Sequence, residues 1–277
     1  MCGINRELKP FNFNFMEAAP DISLLRLFLG LSLLLIPVLM SLLLRMGIIR
    51  QLFISVGRMT SQLFLVSILL IYLFEWDNTL INIGWALMMI VFASISSIVN
   101  SGLTLKKFFV PVFGAYFVGA GFSLMFFLVV IVNPANIFSA QLLVVAGGML
   151  LGNSLNSVII GISRYYEGLR KEKKRYHYLL SLGASQQEAL QPFLRESVLA
   201  ALRPFLANMA TMGVVFLPGM MTGQILGGAS PDVAIKYQVA IMLVIFSSVA
   251  LSVSLALYFT TRKSFDAFGV LQHNNSR

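Results

Sequence analysis

The side chains of this sequence best placed to act on a solute are polar groups set inside long apolar runs. Gln62, Asn153, Asn156, Asn208 and Thr211 all interrupt such runs. Asn153 and Asn156 are three apart and therefore share one face of a helix. Amides in that setting either hydrogen-bond between packed helices or line a polar path. Met209, Met212, Met220 and Met221 form a second group. Their thioethers are soft ligands that suit Cu(I), although methionine is also an adaptable filler of apolar cores, and that simpler reading is preferred here. Pro218-Gly219 breaks the run that holds them, and Gly223, Gly227 and Gly228 follow. Such a break either lines a cavity as an outer gate or forms an exposed turn. The candidate pathway is thus Asn153, Asn156, Asn208, Thr211, Met212, Pro218, Met220 and Met221.

Other chemistry is missing from the sequence. No G-x-x-x-x-G-K-[ST] loop is present, so the chain does not hydrolyse ATP by itself. The two histidines, His177 and His273, have no metal-ligand spacing, and no nucleophile stands with a base. The one cysteine, Cys2, excludes an intrachain disulfide and is read as an incidental thiol. Arg26, Arg58 and Arg203 lie near the ends of apolar runs, where they can snorkel. The centres of the runs hold almost no ionisable groups, which disfavours an intramembrane enzyme or a proton-coupled carrier.

The elements that carry these residues follow from composition. Of 277 residues, 58% are hydrophobic and 11% charged, whereas a soluble domain carries about 25% charged residues to cover its surface. The apolar residues come in blocks near the ~20 residues that a helix needs to cross a bilayer core. The blocks run from about Ser23 to Leu44, Phe53 to Phe74, Leu80 to Val99, Phe108 to Val132, Ile137 to Ile162, Ala200 to Leu217 and Val239 to Phe259. The first is longer than the apolar core of a signal peptide and lacks a cleavage site after it, so it is read as a span kinked at Pro37. The expected fold is an all-α polytopic membrane protein with about seven transmembrane helices. Residues 1–22 form a tail, 23–262 one transmembrane domain, and 263–277 a second tail.

Charge orients this arrangement. The net charge of +9 does not indicate nucleic acid, because the basic residues sit between and beside the apolar blocks. Arg45 and Arg50, Lys106 and Lys107, the run Arg170, Lys171, Lys173, Lys174 and Arg175, and Arg262 with Lys263 all fall on one side of the alternating topology. The other side holds Glu75, Asp77, Asn133-Pro134 and Asp232 with Lys236; only the first tail, with Arg6, Glu7, Lys9, Glu17 and Asp21, is mixed. The positive-inside rule then gives an outside N-terminus and a cytoplasmic C-terminus.

The cytoplasmic excursion at about 163–197 carries the most local signal. Tyr165, Leu169, Tyr176, Leu179 and Leu180 mark one side of a helix continuing out of the fifth block, with Lys and Arg on the other. Gly183 offers a helix stop. Ser185-Gln186-Gln187-Glu188 has the form of a capping box. Pro192 is expected to end the new helix after about two turns and to open the next one. The sequence therefore predicts a bend, a short helix parallel to the membrane, and a return helix. Such a segment is either a solvated loop or a coupling helix that docks on a cytoplasmic motor subunit, through Leu182, Gly183, Ala184, Ser185, Glu188 and Ala189.

LSLGASQQEAL at Leu180–Leu190 resembles the cytoplasmic loop of ABC permeases. With SVGRMTSQL at Ser55–Leu63, AGGMLLGNSLNS at Ala146–Ser157 and FLPGMMTGQILGGASPDVAIKYQ at Phe216–Gln238, it resembles the bacterial iron-export permease family (FetB-type), whose plant relatives act in aluminium tolerance. The resemblance covers about Ser55 to Lys263. It implies an integral inner (plasma) membrane subunit, not itself an enzyme and without a cofactor of its own. A separate ABC ATP-binding subunit would use ATP and Mg, the permease would be a homodimer in membrane lipid, and a metal ion or metal complex, iron first, would be exported. The reading left open beside it is an ATP-independent pore or facilitator whose basic loop binds anionic lipid headgroups.

Overall fold

A computed structural model describes residues 23–266. Cys2, His273, the first tail and all but the start of the second lie outside the described residues. The described chain is helical almost throughout, as a backbone without access to water must be, because a helix satisfies its own N–H and C=O groups. It divides into two compact units, residues 23–59 with 217–238, and residues 60–216 with 239–266.

In the first unit, α1 (Leu24–Gly30), a tightened turn (Leu31–Leu34) and α2 (Leu35–Leu43) follow one another. Pro37 has no N–H for the Leu33 carbonyl, and the tightening falls at that point. The expected kink is thus absorbed as a local overwinding. After Gly47, whose φ is +68°, α3 begins (Ile49–Trp76). Later in sequence come α9 (Gly219–Leu226) and the start of α10 (Pro231–Ser264). Pro231 occupies the first position of α10, where its fixed φ suits helix initiation.

The second unit holds α4 (Thr79–Asn100), α5 (Leu105–Phe126, wound more widely over Phe127–Val132), α6 (Ala140–Lys171), α7 (Lys173–Ser181) and α8 (Gln186–Thr211), with the remainder of α3 and α10. At 32 residues, α6 is the central element and packs against α4, α5 and α8. Its buried face joins Leu143, Leu150 and Ile162 with the small residues Ala146, Gly147, Ser154, Ser157 and Gly161. Small residues let helices approach closely where lipid gives no hydrophobic drive. Ser154 and Ser248 share a hydrogen bond of 3.0 Å, and Tyr166 shares one with Ser264, so α6 and α10 run parallel. Gly161 meets Ala201, Gly168 meets Phe193, and Arg164 pairs with Glu196, so α8 runs antiparallel to α6.

Among the described residues six helices are long and apolar enough to cross a membrane: Leu25–Leu43, Ile49–Trp76, Thr79–Asn100, Leu105–Val132, Ala140–Lys171 and Pro231–Ser264. The helix expected as a further span, α8, is not among them. It carries Glu188, Arg195, Glu196 and Arg203 with Pro192 and Pro204. It nonetheless runs back along α6 before α10 descends parallel to it, so packing supplies the return that composition alone does not.

The segment after α6 also differs from its expected form. Pro192 does not end a two-turn helix; α8 continues through it to Thr211. The buried residues Ala189, Phe193, Ser197, Ala201 and Phe205 recur every four positions, and burying that stripe outweighs the hydrogen bond that proline removes. At its far end α8 stops at Met212-Gly213, before the expected Leu217. Gly213 has φ +84° and donates to the Phe216 carbonyl at 3.0 Å. Pro218-Gly219 does not break this helix but starts α9, so Gly223 is helical and not part of a loop.

At Gly119 α5 comes close to the backbone of α10. A Cβ on Gly119 would stand 2.7 Å from the backbone nitrogen of Ser252 and 2.9 Å from its Cα. Gly119→Val is expected to lower stability by about 1–3 kcal/mol, read as a fall in the thermal midpoint of the detergent-solubilised chain. Gly121→Ala, where a Cβ meets nothing within 4 Å, should leave the midpoint unchanged.

Candidate functional site

Two surfaces carry the residues singled out by the sequence. The first is the turn between α7 and α8. Gly183, at φ +88°, donates to the Leu180 carbonyl at 3.0 Å, and Ala184 donates to the Leu179 carbonyl at 3.2 Å. This paired pattern closes a helix where glycine takes the left-handed conformation. Two residues on, the Ser185 N–H donates to Glu188 Oε2 at 2.8 Å, and the Glu188 N–H donates to Ser185 Oγ at 3.3 Å. The Ser185 hydroxyl also donates to Glu188 Oε2, at 2.8 Å. Hydrogen bonds first from the Ser185 side chain and then from its backbone hold the Glu188 carboxyl below its ordinary value. The stop and the capping box are both as the sequence predicts.

Leu182, Gly183, Ser185 and Glu188 are exposed on this turn, and Ala184 is half-buried. Ala189 is 0% exposed and belongs to the stripe that packs inward. It is removed from the set available to a partner, because the i, i+4 pattern that buries Phe193 buries it too.

The second surface is the uncovered face of α6. Asn153 and Asn156 are exposed there beside Gly152, while Ser154 and Ser157 face the core. Asn153 donates back to the Met149 carbonyl at 2.8 Å. The Asn156 side chain makes no hydrogen bond among the described residues. An amide left facing hydrocarbon costs several kcal/mol, so lipid is an unfavourable neighbour for this face. Asn208 and Thr211 lie on exposed positions of the last turns of α8, with the Thr211 hydroxyl donating to the Ala207 carbonyl at 3.1 Å. Met212 is half-buried just after them. Pro218, Met220 and Met221 belong to the other unit, where Pro218 caps α9 and both methionines are half-buried.

The model for the family described as Uncharacterised protein family (UPF0014) matches residues 24–265. The chain belongs to the UPF0014 family. It is 33% identical over 216 residues, 77% of this chain and 81% of the relative, to the Escherichia coli (strain K12) protein named "Probable iron export permease protein FetB". It is 29% identical over 253 residues, 89% of this chain and 99% of the relative, to the UPF0014 membrane protein YjkA of Bacillus subtilis (strain 168). Protein ALUMINUM SENSITIVE 3 of Arabidopsis thaliana is 29% identical over 192 residues, 68% of this chain and 67% of the relative. No solved structure matches. With its long apolar helices, this UPF0014 member is a multi-pass membrane protein.

Sequence reasoning missed the groups that fix α6 at its two ends. Asp77, in the α3–α4 turn, accepts from the Ala140 N–H at 2.7 Å and from the buried Asn82 amide at 3.0 Å. Asn82 also donates to the Phe138 carbonyl at 2.8 Å. A carboxylate from 63 residues away thus caps the start of α6, where the helix dipole favours negative charge. At the other end Tyr165 and Tyr166 pack edge-to-face at 5.3 Å, and Tyr166 bonds Ser264. The only local signal was an Asp-Asn pair in a turn.

Ser185→Ala in the UPF0014 chain should raise amide hydrogen exchange over residues 186–190 about fivefold while the bundle stays folded. The folded-state Glu188 carboxyl is depressed, so its capping contribution is present above the ordinary value of 4.5 and is lost as pH falls through the lower folded value. The Ser185 amide resonance should accordingly titrate with a midpoint below 4.5.

Proposed function

We propose that this chain is the membrane-spanning permease subunit of an ABC transporter, exporting iron or a related metal and driven by a separate ATP-binding subunit. The supporting observation is the exposed α7–α8 turn, where a glycine stop and a capping box hold a rigid corner clear of the bundle. A rigid corner transmits force from a partner to α6 and α8 together, because both helices pack on each other through Gly161, Ala201, Gly168 and Phe193. The chain holds no loop that cradles ATP, so ATP and Mg belong to the partner in this reading. The iron assignment follows the printed name of the Escherichia coli relative.

Two copies of the chain would complete the transporter in the inner (plasma) membrane, with the C-terminus in the cytoplasm on the charge asymmetry of the loops. The α6 face of Asn153 and Asn156 would turn toward the path between copies, since its amides are exposed among the described residues and disfavour hydrocarbon. Metal passes as substrate. Weak, neutral amide and hydroxyl oxygens suit a cargo that must leave again.

The chain purified with its ATP-binding subunit and reconstituted in vesicles should move ferrous iron only with ATP present. Gly183→Pro imposes φ near −65° on a residue at +88° and removes the N–H that bonds Leu180. It should abolish ATP-driven transport while the chain remains folded by size-exclusion chromatography. Full transport by this variant, or transport by the chain alone without ATP, would sink the reading. Asn156→Leu should cut transport about tenfold or more with partner binding intact if that face lines the path.

A further inference from the structure

Beyond the coupling turn, the α6–α7 corner forms an open groove of about 760 Å³ lined by Arg170, Lys171, Lys173, Lys174 and His177. Tyr178 and Ser181 complete its wall, and no acidic residue lines it. Lys171 is paired with Glu167 at 2.6 Å. Arg170, Lys173 and Lys174 carry no ion pair among the described residues. Beside the groove Tyr178 is 63% and Leu182 65% exposed.

Height decides what such a surface meets. The last large apolar residue exposed on α6 is Ile160. Arg170 follows ten residues later, about 15 Å further along the helix axis at ~1.5 Å per residue. The headgroup layer on each side of a bilayer core is only ~5–8 Å thick. With Ile160 taken as the edge of the hydrocarbon, Arg170 stands past the headgroups, in water. Tyr178 and Leu182 are exposed beside these cations, and like charges this close repel one another unless an opposite surface covers them.

We propose that this groove is a recognition surface for an acidic patch on a cytoplasmic protein partner, with Tyr178 and Leu182 as its apolar anchors. The inference rests on the reading that a separate ATP-binding subunit works with this chain, and it assigns that subunit's contact its chemistry. The cations steer encounter over a Debye length, and the anchors hold the docked state. The contact is thus wider than the α7–α8 turn, beginning at Arg170.

The test uses the full chain in lipid nanodiscs and the ATP-binding subunit recovered with it, with association measured across a salt series. A variant carrying Arg170→Gln, Lys173→Gln and Lys174→Gln should associate about tenfold more slowly at low salt, with the difference closing at high salt. Tyr178→Ala with Leu182→Ala should speed dissociation at every salt concentration. Lys236→Gln, outside the groove, should change neither rate. Equal association of the charge variant and the normal chain at low salt would overturn the proposal and leave the transporter reading standing. A difference that appears in discs with anionic lipid and vanishes in neutral discs would also overturn it, and would assign the groove to phospholipid headgroups. Failure of the subunit to bind even the unaltered chain would remove the transporter reading itself, and the groove assignment with it.

Discussion

The packing of α6 is the constraint on which the second unit depends. In lipid, no hydrophobic drive pulls one helix to another, and the gain must come from close contact and interhelical hydrogen bonds. The small residues of α6 meet that need: Gly161 accepts Val253 and Ala201, and Ser154 bonds Ser248. Gly119 on α5 does the same toward Ser252. A single larger side chain at these positions would hold two helices apart along much of their length.

The same helix connects the two surfaces of functional interest. Its middle presents Asn153 and Asn156 outward, and its end leads through α7 into the Gly183 turn. Both ends are fixed by groups distant in sequence, Asp77 at Ala140 and Ser264 at Tyr166. A displacement of the α7–α8 corner would reach α6 through α7, which follows it after the break at Glu172. The long antiparallel contact with α8 gives α6 a second link to the corner. Arg164 and Glu196 tie the two near the corner, although so exposed a pair adds little stability.

Charge separates the corner from the membrane part. Toward the middles of the spans several polar groups are serines returning a hydrogen bond to their own helix, as Ser94 does to Ile90 and Ser123 to Gly119. Around the α6–α7 corner cations gather, some of them paired, as Lys171 is with Glu167 and Arg175 with Glu172. This division follows from solvent: a charge is cheap in water and costly in hydrocarbon.

The sequence by itself determined the solvent of the fold and its local punctuation. Long apolar blocks require helices across lipid. Gly183 and the Ser185–Glu188 pair define a stop and a start that need only neighbouring residues, and both stand where the spacing puts them. Asn153 and Asn156 share a face because helical geometry alone demands it. Tertiary structure decided the rest. Pro192 has a strong local tendency to end a helix, but the stripe from Ala189 to Phe205 gains its burial only against α6, so α8 runs on and Ala189 is hidden. The return past α6 by a charged, proline-bearing helix could not be read from hydropathy, which scores a segment without its neighbours. Asp77 capping a helix 63 residues away lies equally beyond any local pattern, because its energy exists only once the chain has brought the two ends together.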